Sequence, residues 1–108
     1  MKRNWELIRN ILLQLESSEN VGPESVVGFD IDVVAYHMLL LDQAELIIAC
    51  SLDEGDCIAL SITPEGISLL DKIRDDSAWE TIKEMAFQTG IHLSTESIQL
   101  MADFSIKA

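Results

Sequence analysis

Two β-prone runs, residues 46–52 and 57–63, flank the tetrad Asp53-Glu54-Gly55-Asp56, and the second runs straight into Thr63-Pro64-Glu65-Gly66. Acidic and glycine turn formers between two such runs predict an antiparallel hairpin. Thr63 offers a hydroxyl to cap a helix, and Pro64 falls at the first helical position, where its missing N–H costs nothing. A hairpin handing over to a helix within one residue confines the chain to the α+β class. All-helical bundles and all-β sandwiches are excluded.

Helical periodicity accounts for most of the rest. Residues 4–16 carry Trp5, Ile8, Leu12 and Leu15 at three-to-four spacing, with Leu7 and Ile11 alongside and Asn4 as the cap. Ser17 through Pro23 reads as a loop, and Val26-Val27-Gly28-Phe29 as at most one short strand. A second helix over 32–44 turns Val33, Val34, His37, Leu40, Leu41 and Ala44 inward, leaving Asp32, Ala35, Tyr36, Leu39, Asp42 and Gln43 outside. The helix opened by Pro64 faces inward with Ile67, Leu70 and Ile73. A fourth, over 78–89 and starting after Asp76 or Ser77, shows Ile82, Met85 and Ala86 and stops at Gly90. Ser94 or Thr95 caps a last helix through Ile98, Met101 and Phe104. Leu12, Leu41 and Ile62 are expected in the core.

The 108 residues suit one domain, with a core over about 1–75 and a helical extension over about 76–108. At 48% apolar content the chain is too hydrophobic for intrinsic disorder. No apolar window approaches the ~18 residues of a membrane span. Glu6, Arg9, Asn10 and Gln14 interrupt what would be the apolar stretch of a signal peptide, so a cytoplasmic location is expected.

Charge is unevenly distributed. No Lys or Arg occurs from Asn10 through Asp71, while that stretch holds twelve acids: Glu16, Glu19, Glu24, Asp30, Asp32, Asp42, Glu45, Asp53, Glu54, Asp56, Glu65 and Asp71. They equal the whole formal net charge of −12. Non-specific affinity for nucleic acid comes mostly from cations that replace counterions on phosphates, and this region has none to contribute. Tyr36 and Leu39 among acids suit a protein surface better than a major groove.

No catalytic constellation stands out. Cys50 and Cys57 flank the turn and are placed to share one hairpin face, as a metal pair, a redox pair or merely structural thiols; without a CxxC spacing the structural role is the default. His37 lies in the apolar stripe of the second helix and His92 follows Gly90-Ile91; neither has a ligand partner at metal spacing, so a satisfied core histidine is expected at 37. Asp75-Asp76 and the Asp53–Asp56 cluster lack the calcium-loop pattern and read as a helix cap and a solvated turn. Trp5 and Trp79 read as core anchors rather than base-stacking platforms. No cofactor is implied.

Three stretches carry a family resemblance. The opening Met1-Lys2-Arg3-Asn4-Trp5-Glu6-Leu7-Ile8-Arg9, the run Leu60-Ser61-Ile62-Thr63-Pro64-Glu65-Gly66-Ile67-Ser68-Leu69-Leu70 and the segment Leu70-Asp71-Lys72-Ile73-Arg74-Asp75-Asp76-Ser77-Ala78-Trp79 together resemble the bacterial and phage family called domain of unknown function 2513. The resemblance covers nearly the whole chain. It implies a winged-helix-like fold, helices packed around a small antiparallel hairpin with extra C-terminal helices, and a frequent phage or prophage origin. It implies no catalytic residues. Where relatives usually carry Gly before Leu46 this chain has Glu45, so the left-handed position that glycine fills without strain must be handled otherwise, and an irregular helix end is expected. Residues 17–29 are also too few for both a strand and the full first helix of a helix-turn-helix.

The resulting expectation is a non-enzymatic, acidic protein-binding module on a winged-helix scaffold. It would inhibit a host or phage protein by occupying its basic nucleic-acid-handling site as a mimic of DNA charge. Candidate contact residues are Asp32, Tyr36, Leu39, Asp42 and Gln43 on the second helix and Asp53, Glu54 and Asp56 at the wing tip. The alternative is a DNA-binding winged-helix regulator, whose cations would have to be Lys2, Arg3, Arg9, Lys72, Arg74 and Lys83.

Overall fold

Five helices and one antiparallel strand pair make up the computed structural model, which describes residues 3–51 and 57–107. In chain order they are α1 (Trp5–Ser17), a 3₁₀ turn (Pro23–Ser25), α2 (Ile31–Gln43), β1 (Ile47–Ser51), β2 (Cys57–Ile62), α3 (Pro64–Ile73), α4 (Asp76–Thr89) and α5 (Thr95–Lys107). The α+β class follows directly. The chain divides into two compact units, Met1–Ile67 and Ser68–Ala108.

In the first unit, the Asn4 side chain caps α1 by accepting from the Glu6 and Leu7 amides at 3.1 and 3.2 Å. Leu7, Ile8, Ile11, Leu12 and Leu15 are buried along one stripe. The buried face of α2 is Val34, His37, Met38 and Leu41, whereas Val33 and Leu40 are half-buried and Ala44 is exposed. Relative to the periodicity, the helix is rotated by about half of its ~100° residue step. Long, unbranched Met38 takes the core position, on the side where α2 meets α1 and both strands.

Helix α2 ends in a Schellman motif. The Leu46 amide bonds the Leu41 carbonyl at 2.9 Å and the Glu45 amide bonds Asp42 at 3.0 Å. Glu45 takes the left-handed conformation, φ 63°, that glycine fills without strain. Its carbonyl is held by the Thr63 hydroxyl at 2.7 Å. Because that anchor is main-chain, Glu45→Gly is expected to raise stability by about 1 kcal/mol. A higher urea midpoint at unchanged slope checks it.

Strands β1 and β2 pair antiparallel from Ile47↔Ile62 to Ser51↔Cys57, which puts the reversal where the sequence expects it. The turn residues Asp53–Asp56 themselves lie outside the described residues. Pairing passes from Ile48↔Ser61 to Ala49↔Ala59, so Leu60 is an extra residue on β2. Such a bulge switches the parity of the strand: Cys57 and Ala59 point inward before it and Ile62 after it. Ile62 at the strand end is half-buried, less than expected, while Leu12 and Leu41 are buried. The short strand expected at Val26–Phe29 is absent, since those residues form a turn around Gly28 at φ 97°. Val21 pairs with Ala59 instead, with amide–carbonyl bonds of 2.8 and 2.9 Å in both directions.

Thr63 caps α3 as expected, its hydroxyl accepting from the Gly66 amide at 3.0 Å. The buried face of α3 is Gly66, Leu69, Leu70 and Ile73, and Ile67 is exposed; Leu69 takes the place predicted for Ile67. Gly66, in the first unit, approaches the hairpin so closely that a Cβ there would meet the Leu46 carbonyl oxygen.

In the second unit, α4 starts two residues earlier than its periodicity suggests, because Asp75 rather than Asp76 or Ser77 caps it, accepting from the Ser77 amide at 2.8 Å. Gly90 closes it at φ 73°. Ser94 and Ser97 cap α5 reciprocally, each hydroxyl accepting from the other residue's amide, at 3.1 and 2.8 Å. Trp79, Ile82 and Ala86 of α4 and Ile98, Met101 and Ala102 of α5 are buried, and the two helices pack together. No helix among the described residues is long and apolar enough to cross a membrane.

Candidate functional site: the outward face of α2

Asp32 and Gln43 are exposed at the two ends of the outward face of α2, and Leu39 between them is 37% exposed. Tyr36 is half-buried, its ring edge-on to His37 at 5.8 Å between centroids. These four residues therefore form one outward stripe. Asp42 is half-buried and already engaged, since its carboxylate accepts from the Ala49 amide of β1 at 3.0 Å. Asp53, Glu54 and Asp56, the other candidate contacts, lie outside the described residues.

Beneath the stripe, His37 is fully buried. The Asn4 amide donates to its Nε2 at 2.9 Å, and Nδ1 lies 2.8 Å from the Val33 carbonyl. An amide can only donate and a carbonyl only accept, so these partners select the neutral tautomer with its proton on Nδ1. The ring joins the start of α1 to α2 and has no nitrogen left for a ligand. Among the described residues no group of three or more His, Cys, Asp or Glu is placed to hold a metal ion.

The cysteines do not share a face, contrary to the sequence expectation. Cys50 pairs with Ile58 and Cys57 with Ser51, so alternation sends them to opposite sides of the hairpin, Cys50 exposed and Cys57 buried. Burial pushes the Cys57 thiol above its ordinary value of 9.0, and the charges of Asp42 and Cys50 add to the rise. The unfolded chain therefore ionises first as pH climbs. The stabilising contribution of the neutral thiol is full below pH 9.0 and is lost as pH rises from there through the higher folded value. Cys57→Val should flatten that alkaline decline in thermal melts, and iodoacetamide at neutral pH should alkylate Cys50 alone until the chain is unfolded.

Beside the N-terminal end of α2 lies a cleft of about 250 Å³, lined by Asn20, Gly22, Pro23, Glu24, Ile31 and Ile58 among others. Sequence reasoning did not find it, because its walls come from three separate segments. Glu24 lies over Gly22 so closely that a Cβ on that glycine would sit 2.8 Å from Glu24 Cδ. Ile31 is 58% exposed at its mouth. The described cations before Ile67 are Arg3, ahead of α1, and Arg9 within it. In the second unit Lys72 pairs with Asp103 at 3.1 Å, Arg74 with Asp71 at 2.7 Å and Lys83 with Glu80 at 2.9 Å.

Residues 2–92 match the model of a family described as a hypothetical protein, DUF2513. A Haemophilus influenzae protein, itself named only as uncharacterized, is 46% identical over 109 residues, spanning 94% of this chain and 92% of that one. No solved structure matches the chain. The chain belongs to the DUF2513 family.

Proposed function

We propose that this member of the DUF2513 family is a non-enzymatic protein-binding module whose acidic first unit occupies a basic, nucleic-acid-handling surface of another protein. The setting we propose is phage or prophage inhibition of a host protein by mimicry of DNA charge. The observation that carries the reading is the absence of any Lys or Arg from Asn10 through Asp71, combined with an outward stripe of Asp32, Tyr36, Leu39 and Gln43 on α2. Complementary potential raises association rate and rejects wrong partners. A winged-helix reading of the scaffold is supported by the Val21↔Ala59 bridge, which gives the hairpin a third, one-residue strand, and by the 3₁₀ turn that stands where a helix-turn-helix has its first helix.

Titration and capture separate this reading from a DNA-binding regulator. The chain should leave random duplex DNA unbound even at low ionic strength. A partner captured from bacterial lysate should be basic, should be released by competing duplex DNA, and should bind more weakly as salt rises. Reversing Asp32 to Lys and placing Lys at Gln43 should slow association about tenfold. Tight, salt-sensitive DNA binding that disappears when Arg9, Lys72 and Arg74 are replaced would reject the proposal. Lys72, Arg74 and Lys83 each face an acid already, Asp103, Asp71 and Glu80, in exposed pairs that compete only weakly with phosphate.

A further inference from the structure

We infer that the cleft beside Glu24 receives an arginine side chain from the basic partner, an inference that rests on the protein-binding reading above. At about 250 Å³ it falls below the usual range of pockets for drug-sized ligands and suits one long side chain. Its chemistry is divided. Pro23, Ile31 and Ile58 are apolar, Asn20 and Cys57 add an amide and a thiol, and Glu24 supplies a carboxylate that forms no ion pair among the described residues.

A guanidinium matches both halves. Its flat, weakly hydrated faces pack on aliphatic walls, and its fork of N–H donors meets a carboxylate with two parallel bonds. A lysine ammonium is compact and strongly hydrated, so it satisfies the carboxylate and wastes the walls. Gly22 is part of the device, because the absence of a Cβ there lets the Glu24 carboxylate lie against the loop. Ile31 belongs both to the cleft and to the first turn of α2, one residue before Asp32. An arginine seated in the cleft therefore lies at the end of the proposed contact stripe and is continuous with it.

The test uses the full chain with isoleucine methyl groups labelled for NMR, titrated with acetyl-Gly-Arg-Gly-amide. Saturable shifts are expected at Ile31 and Ile58, weaker with the lysine peptide and absent with the uncharged citrulline peptide. Glu24→Gln should weaken arginine binding about fivefold. Gly22→Ala should weaken it similarly while leaving the melting temperature unchanged, since only the flexible end of Glu24 has to move. Equal binding of the citrulline peptide, tighter binding of the lysine peptide, or no saturable shift at these two methyls overturns the inference. If the methyls stay still while charge changes at Asp32 and Gln43 slow capture of the basic partner, the cleft assignment falls and the protein-binding reading stands. If neither responds, both fall.

Discussion

Truncating Leu41 to alanine is expected to remove about 2 to 5 kcal/mol of stability, whereas truncating its neighbour Leu40 costs about 1 kcal/mol. Helical periodicity alone gives the two leucines equal standing on the inward face. The structure does not: Leu41 is 3% exposed and Leu40 only half-buried. Leu41 also belongs to the motif that ends α2, its carbonyl accepting from the Leu46 amide. Leu46 is itself buried, as the apolar partner of such a helix end usually is. Urea unfolding of the two variants measures the difference directly, and equal losses would mean that α2 is turned toward Val33 and Ala44 instead.

Gly66→Ala should cost about 3 kcal/mol, an uncommon loss for adding one methyl group. The new Cβ would land on the Leu46 carbonyl oxygen, well inside van der Waals contact, and 2.8 Å from Ile62 Cγ1. A backbone oxygen cannot swing aside as a side chain does. Relief requires the start of α3 to move off the hairpin, which stretches the 3.1 Å bond from the Thr63 amide to that same carbonyl. Gly28→Ala is the control. Its φ of 97° is unfavourable for alanine, yet nothing lies within 4 Å of the added atom, so the loss should stay near 1 kcal/mol. Comparable losses at both sites would show that backbone conformation, and not the close approach, is what Gly66 provides.

Features that depend on local chemistry were legible in the sequence: the Asn4 and Thr63 caps, the stop at Gly90, and the hairpin reversal between residues 51 and 57. Features set by pairing between distant segments were not. The sequence offers a strand at Val26 and reads Val21 as loop, and only the position of β2 decides that Val21 makes the bridge. One extra residue, Leu60, has no signature in a period-two pattern, yet it controls which residues of β2 point inward. At the candidate site, the outward placement of Asp32, Leu39 and Gln43 followed from helical spacing. The employment of Asp42 did not, because it depends on where β1 passes.

That employment bears on how copies of the chain treat one another. Among the described residues β1 is bordered by a strand on one side alone, and a bare strand edge is a template on which further chains add and grow into fibres. Asp42 occupies the Ala49 amide at the middle of β1 and holds a negative charge beside it. An incoming strand would have to displace a charge-assisted bond and leave that carboxylate dehydrated. Asp42, a candidate partner contact in the sequence, thus also sets a charge on the strand edge where another copy would have to add.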